Sequence, residues 1–366
     1  MIPHLTEASK VRVLIVDDSA MTRKVLTLGL STDPLIDVVG AAASADQAFE
    51  MIDALNPDVL TLDIEMPRMD GVSFLRKLMP MKPVPTVVIS STTLSGASIT
   101  LQALEAGAVD IIAKPSIGVG DGLGVIMADI CLRVRNAARA RPLALGRVAA
   151  PAREQWHRQP QRPSLIAIGA STGGVQALTH ILQELPADTP GTVIVQHMPA
   201  GFTEAFAKRL DTMCAMRIRE ARDGDPVRPG VVLIAPGGTK HMTIAGVAPH
   251  WRVSLIDGDP VCFSRPSVDV MFNSVARVAG KQVCAALLTG MGRDGANGMQ
   301  AIREAGGTTI AQDEATSIVW GMPAAAVEIG AAQSILPLDA IPQALLAATN
   351  PQYSAARAAP IRSKEL

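Results

Sequence analysis

Acidic, hydroxyl and lysine side chains recur in this chain wherever an apolar run stops. Asp17 and Asp18 follow VLIV, Asp63 follows VLTL, Ser90 follows TVVI and Lys114 follows DIIA. If those runs are parallel strands, their polar ends meet at one carboxyl edge, where open α/β sheets bind ligands. Three carboxylates gathered there repel one another, so a bare cluster is costly. A divalent cation relieves that cost, and magnesium favours carboxylate and phosphate oxygens. Lys114 adds a fixed positive charge and Ser90 a hydroxyl donor. In such surroundings an aspartate can attack a phosphoryl group and hold it as an acyl phosphate. Each residue alone is commonly a helix cap or turn former. The combination is what carries the chemistry.

A second set lies further along. In IAIGASTGG, Ser171 comes directly after an apolar run and before a helix-like stretch, and Gly169, Ser171 and Gly173 fit G-x-S-x-G. A tight strand-to-helix turn exposes a hydroxyl and sets it beside unpaired N–H groups. Serine needs a base to become a useful nucleophile. His197 ends TVIVQH, and Asp294 lies in the glycine-rich LTGMGRDGA, where it can orient a histidine. His241 in GGTKHM is a second candidate base and Asp313 in AQDEATS a second candidate orienter. Spacing alone does not choose between them. The order Ser, His, Asp also differs from that of α/β-hydrolases. GASTGG looks like the opening of a short-chain dehydrogenase as well. That reading needs a glycine where Val175 stands and a Tyr-x-x-x-Lys pair, yet the sole tyrosine, Tyr353, has Arg357 four residues on.

These side chains require two α/β scaffolds. Residues 11–16, 36–40, 58–62, 84–89 and 108–113 read as five strands, with helices such as 21–30 and 45–55 between them. Continuous apolar runs suit strands covered on both faces, and repeated strand–helix units imply a doubly wound sheet. Asn56-Pro57 should stop the second helix. A second α/β block has expected strands at 164–170, 192–196, 231–235, 251–256, 284–290 and 308–312, with helices at 175–185 and 267–278. Four segments follow: 10–130, a basic Pro/Arg-rich linker at 131–163 that opens as a helix, 164–350, and a tail at 351–366.

Composition narrows the class. The chain has 366 residues, 48% of them hydrophobic and 18% charged. That length suits two or three domains. The longest apolar runs are strand-sized, far short of the roughly 20 residues a membrane helix needs. The opening MIPHLTEASK lacks the apolar stretch of a secretory signal. Four separated cysteines without a CxxC pair argue against structural zinc and suit a reducing compartment. A cytoplasmic protein without direct membrane insertion is expected. The net charge of −1 conceals an asymmetry: residues 1–130 carry nine basic against sixteen acidic side chains (−7), residues 131–163 eight against one (+7), and residues 164–366 sixteen against seventeen (−1). A basic stretch can signal nucleic acid. This one has few aromatics and an acidic neighbour, so a solvated linker is the expectation.

Nearly all of residues 10–130 resembles the receiver domain of two-component response regulators. The match rests on VDDS, DIEMPRMDG, Ser90 and AKP. It implies a flavodoxin-like five-stranded parallel sheet, phosphorylation at Asp63, magnesium held by Asp18, Asp63 and the Glu65 carbonyl, and Ser90 and Lys114 as switch residues. Where many receivers have an aromatic residue shortly before the lysine, this chain has Ile111, so aromatic rotation there cannot carry the signal. Residues 164–350 resemble the catalytic domain of the chemotaxis protein-glutamate methylesterases, the CheB family, through GASTGG, QHMP, PGGTKHM, RPSVDVMF and LTGMGRDGA.

That resemblance selects Ser171, His197 and Asp294, with the backbone N–H of Met291, helped by Thr172, as oxyanion donor. It implies a second doubly wound α/β catalytic domain without a cofactor of its own. It also implies phosphorylation-activated hydrolysis of glutamate γ-methyl esters, and deamidation of certain glutamines, on chemotaxis receptors. A chemotaxis histidine kinase would donate the phosphoryl group, and receptor arrays would recruit the enzyme. Ser264 stands where family members often have histidine. Two other classes compete: a receiver fused to a DNA-binding output, and a catalytically silent receptor-docking module. A DNA reader would be basic and often helix-turn-helix, whereas residues 164–366 are near neutral and strand-rich.

Overall fold

The computed structural model describes residues 10–90, 94–114, 123–140 and 164–349. The chain divides into two compact units, Met1–Ala149 and Ala150–Leu366. Most of the basic linker (141–163) and the tail (351–366) lie outside the described residues.

The first unit alternates strictly: β1 (Val11–Val16), α1 (Ala20–Leu30), β2 (Ile36–Ala42), α2 (Ala45–Leu55), β3 (Val59–Asp63), α3 (Gly71–Met81), β4 (Thr86–Ser90), α4 (Leu94–Glu105), β5 (Asp110–Ala113) and α5 (Leu123–Ala137). All five strands run parallel in the order β2-β1-β3-β4-β5. Every residue of β3 and β4 is buried, as their unbroken apolar runs require. Local chemistry sets the helix starts. Ser19, Ser44 and Asp70 accept the backbone N–H of Thr22, Gln47 and Ser73, each satisfying an orphan donor of a first turn. Asn56 closes α2 at φ +43°, directly before Pro57. Helix α5 carries the chain past residue 130, so the first residues of the basic segment are helical. The strand order reverses between β1 and β3, which opens a crevice at their carboxyl ends.

The second unit contains β6 (Leu165–Ala170), α6 (Gly174–Glu184), β7 (Gly191–Gln196), α7 (Phe202–Met213), β8 (Arg217–Glu220), β9 (Val231–Ile234), β10 (Lys240–Val247), β11 (His250–Asp257), α8 (Val268–Ala279), β12 (Val283–Leu287), α9 (Ala296–Glu304), β13 (Thr308–Gln312), α10 (Met322–Glu328), β14 (Ser334–Leu336) and α11 (Ile341–Thr349). Seven strands form one parallel sheet ordered β14-β13-β12-β6-β7-β9-β8. Its switch point lies between β6 and β12.

The expected strand at 251–256 is present but joins no parallel sheet. As β11 it pairs antiparallel with β10 in a separate hairpin. One face of that hairpin packs on α8, with Met242, Ile244, Trp251 and Val253 in the core beside Met271, Phe272 and Val275. Trp251 Nε1 donates to the Val278 carbonyl (3.2 Å), and the Ile244 N–H donates to Ser274 Oγ (2.9 Å). Phe272 is fully buried, and such a side chain contributes about 1.5–3 kcal/mol. The hairpin thus packs along the middle and end of α8, the helix whose first turn anchors the site below.

Candidate active site

Three neighbouring strands deliver the second-unit residues to one edge. Ser171 directly follows β6 and His197 directly follows β7, while Asp294 lies in the loop between β12 and α9. Since β6 lies between β12 and β7, the three residues reach the same sheet edge although up to 123 residues separate them. The turn at Ser171 is tightly built. Gly173 has φ +79°, and a Cβ there would come within 2.7 Å of Ile318. A Cβ on Gly290 would lie 2.8 Å from the Ser171 Cβ, so glycine lets the β12 loop reach the serine. The Ser171 N–H donates to the Thr289 carbonyl (3.0 Å). Gln196 Nε2 donates to the carbonyls of Ser171 (2.8 Å) and His197 (3.2 Å), tying both together.

Asp294 is 2% exposed and accepts four hydrogen bonds. His197 Nε2 (2.8 Å) and the Val268 N–H (2.7 Å) reach Oδ2; Ser267 Oγ (2.7 Å) and the Asp269 N–H (3.0 Å) reach Oδ1. Val268 and Asp269 open α8, so the carboxylate sits on a helix N-terminus, where negative charge is favoured. Burial pushes its pKa up, but the bonds from His197, Asp269 and Ser267 outweigh burial and hold the carboxyl below its ordinary value. An ionised carboxylate only accepts, so His197 Nε2 carries the proton and Nδ1 the lone pair. Ser264 Oγ lies 3.3 Å from that Nδ1 and donates to it. The Ser171 hydroxyl makes no hydrogen bond among the described residues, and nothing among them accepts from the Met291 N–H. Cys262, Asp269 and Asp294 bring ligand-type atoms within 4.8 Å of one another, but four donors already occupy Asp294.

In the first unit, Asp17, Asp18 and Asp63 bring carboxylate oxygens within 4.8 Å of one another. Lys114 Nζ meets Asp63 Oδ2 at 2.7 Å and Asp17 Oδ2 at 3.4 Å. Burial first, and then the Asp63 charge, raise the Asp17 pKa. Burial works against the Lys114 charge, but its bond to Asp63 and the two carboxylates outweigh that and raise its pKa. Asp17 Oδ2 is buried and has beside it only the long Lys114 ion pair, with no well-formed hydrogen bond. Among the described residues nothing donates to the Glu65 carbonyl. An all-oxygen set with a buried oxygen that is only weakly satisfied fits a hard divalent cation. Ser90 is buried and accepts from Thr100 Oγ1 (2.8 Å), and Ile111 is buried in β5.

The family model for the CheB methylesterase matches residues 166–345, and that for the response regulator receiver domain matches residues 13–118. A protein-glutamate methylesterase/protein-glutamine glutaminase of Cereibacter sphaeroides (group 2 operon) is 58% identical over 345 residues, 93% of this chain and 92% of that relative. This chain belongs to the CheB methylesterase family. Another member, from Xanthomonas campestris pv. campestris, is 49% identical over 353 residues, covering 94% of this chain and 98% of its own length. Family membership displaces the DNA-binding alternative.

The geometry also separates the competing histidines in this CheB-family chain. His241 spends both ring nitrogens on the backbone: Nδ1 accepts from the Ser267 N–H (3.1 Å) and Nε2 donates to the Asp259 carbonyl (2.9 Å). Asp313 caps its own loop, accepting from the Thr316 N–H (3.0 Å) and hydroxyl (2.6 Å). Sequence reasoning missed Gln196, although it adjoins His197. It named Asp17 at the first unit's edge but left it out of the cation's ligands, and it saw Ser264 only as a departure. The sequence marks Ser267 only as the first residue of the helix expected at 267–278, and neither its capping role nor its bond to Asp294 is legible there.

Proposed function

We propose that this chain hydrolyses glutamate γ-methyl esters, and deamidates certain glutamines, on methyl-accepting chemotaxis receptors, and that phosphorylation of Asp63 activates it. Similarity along nearly the whole chain to protein-glutamate methylesterase/protein-glutamine glutaminases carries this reading. Ser171 is the nucleophile. When the ester carbonyl settles at the edge, Ser171 replaces Ser264 at His197 Nδ1 and passes its proton there as Oγ attacks the carbonyl carbon. Asp294 stabilises the imidazolium. The carbonyl oxygen becomes an oxyanion, stabilised by the Met291 N–H with Thr172. His197 returns the proton to the methoxy group, and methanol leaves. From an amide, ammonia leaves instead. Water, deprotonated by His197, then attacks the acyl-serine and restores Ser171.

In the receiver, an Asp63 oxygen attacks the phosphorus of a phosphodonor, a chemotaxis histidine kinase in the cell; as the aspartyl O–P bond forms, the donor's P–N bond breaks and its histidine leaves. Asp18, Asp63 and the Glu65 carbonyl, with Asp17 beside them, would hold magnesium. When bound, the ion offsets the clustered negative charge and orients the phosphoryl oxygens. Lys114 and the Ser90 hydroxyl then turn to the phosphoryl group. No described helix is long and apolar enough to cross a membrane. The methylesterase reading itself carries a cytoplasmic location and recruitment to receptor arrays. The test is methanol release from a methylated receptor fragment, with and without acetyl phosphate and magnesium. Release that rises with both supports the reading. No release under either condition overturns it.

A further inference from the structure

The reverse turn Val261–Ser264 adjoins the catalytic edge and has an unusual build. It is closed by two backbone bonds, from the Val261 N–H to the Ser264 carbonyl (3.1 Å) and from the Ser264 N–H to the Val261 carbonyl (2.9 Å). Both central residues are left-handed, Cys262 at φ +49° and Phe263 at φ +63°. Paired positive φ values normally call for Asn-Gly or Gly-Gly. A bulky side chain there is strained, and such strain persists only where the surroundings impose it, often at functional sites. The surroundings here do so. His241 clasps both ends of the loop at Asp259 and Ser267. Arg265 donates to the carbonyls of Gly238 (3.3 Å) and Gly258 (2.7 Å). Ser264 rests on His197.

This rigid frame holds the Phe263 ring 95% exposed, the most exposed large hydrophobic side chain among the described residues. Successive Cα atoms are about 3.8 Å apart, so an unburied aromatic ring projects from the residue next to the one touching the catalytic base. A reacting ester is one small group on a large protein, so most affinity must come from polypeptide around it. Rigid aromatic side chains supply such affinity at low entropic cost.

We propose that Phe263 is a substrate-recognition residue, packing against apolar side chains of the receptor that flank the modified glutamate. This rests on the methylesterase reading above. The turn, closed by its own two backbone bonds and clasped by His241 and Arg265, holds the ring in a fixed place beside the catalytic edge, so a receptor segment docked on Phe263 presents one glutamate position to Ser171.

The test compares full-length wild type, Phe263→Gly and Phe263→Trp on the same methylated receptor fragment. Glycine removes the ring and also suits φ +63°, so the turn survives and the melting temperature should not fall. Phe263→Gly should raise KM about tenfold, as expected for an aromatic anchor, with kcat within about twofold. Phe263→Trp should keep KM near wild type. If Phe263→Gly leaves KM unchanged, the proposal is overturned. It is equally overturned if only kcat falls, which would place the effect on Ser264 and His197. A faster unphosphorylated enzyme with unchanged KM would instead assign the ring to the chain's own receiver, and also overturns it. Absence of methanol release from wild type would refute the underlying reading rather than this one.

Discussion

Replacing Asp294 by asparagine isolates what its charge contributes, because shape is kept. The carboxylate meets a backbone N–H on each oxygen, Val268 on Oδ2 and Asp269 on Oδ1. An asparagine has one oxygen and one NH₂ group, so either orientation leaves an N–H of α8 facing an N–H. One buried donor then goes unsatisfied, at about 1–3 kcal/mol. Loss of negative charge at the helix N-terminus adds about 0.3–1 kcal/mol. For a unit of this size each kcal/mol lowers Tm by roughly 2–4 °C, so a fall of about 3–15 °C is expected by calorimetry. The orientation with NH₂ toward His197 also reverses the tautomer, moving the proton to Nδ1 and removing the base. Methanol release should fall on the order of 10⁴-fold. pH provides a further check. The folded pKa of Asp294 lies below its ordinary 3.8, so its stabilisation is complete above that value and lost as pH falls through the folded pKa. The Tm gap between wild type and Asp294→Asn should therefore narrow in acid. An asparagine variant with wild-type melting and wild-type methanol release would refute the roles given to Asp294.

Ser171→Ala should abolish methanol release, with a loss approaching a millionfold, while the melting curve stays near wild type; retained activity would move the nucleophile elsewhere. Asp63→Asn should lose magnesium-dependent labelling from a radioactive phosphodonor yet keep unstimulated esterase activity, and persistent label would point to Asp17 or Asp18. His241→Ala should lower stability by about 1–3 kcal/mol through the loss of its two backbone bonds, whereas His197→Ala should abolish activity. A catalytic loss greater for His241→Ala than for His197→Ala would reverse the assignment of the base.

Much of this was legible because parallel sheets write their sites at strand ends. Asp63, Ser90, Ser171 and His197 each terminate or follow an apolar run, and the folded chain brings each set to a carboxyl edge. Side-chain partners were less legible. Both His197 and His241 adjoin apolar strands, and nothing local tells one from the other. The difference arises because 240–247 and 250–257 form a hairpin outside the parallel sheet, which turns His241 toward the 259–267 loop. The edge strand β8, RIRE, escaped detection because its alternating charges suit an exposed edge and resemble a loop. Ser264 meets His197 only through a turn whose Cys-Phe tip breaks the usual Asn-Gly preference, so local pattern reading passes over it.

The two units handle negative charge in opposite ways. In the receiver, Asp17, Asp18 and Asp63 crowd together; among the described residues Lys114 alone ion-pairs with their carboxylates, and one buried Asp17 oxygen has only its long 3.4 Å contact. Their repulsion favours whatever neutralises it, which makes the cluster receptive to a cation. At the catalytic edge the single carboxylate that faces the base is fully met by the first turn of α8, Ser267 and His197. A charge neutralised in this way still orients the imidazole. It opposes an oxyanion forming near Met291 far less than a bare carboxylate would, since the helix N-terminus cancels much of its field. Chemistry that builds negative charge on a carbonyl oxygen can thus proceed beside an aspartate. That balance depends on α8, whose cap Ser267 donates to His241 of β10 and whose later turns the β10–β11 hairpin holds through Ser274 and Val278. Substitutions in the hairpin core, such as Trp251→Ala, should therefore reduce catalysis as well as stability, although Trp251 touches no catalytic group.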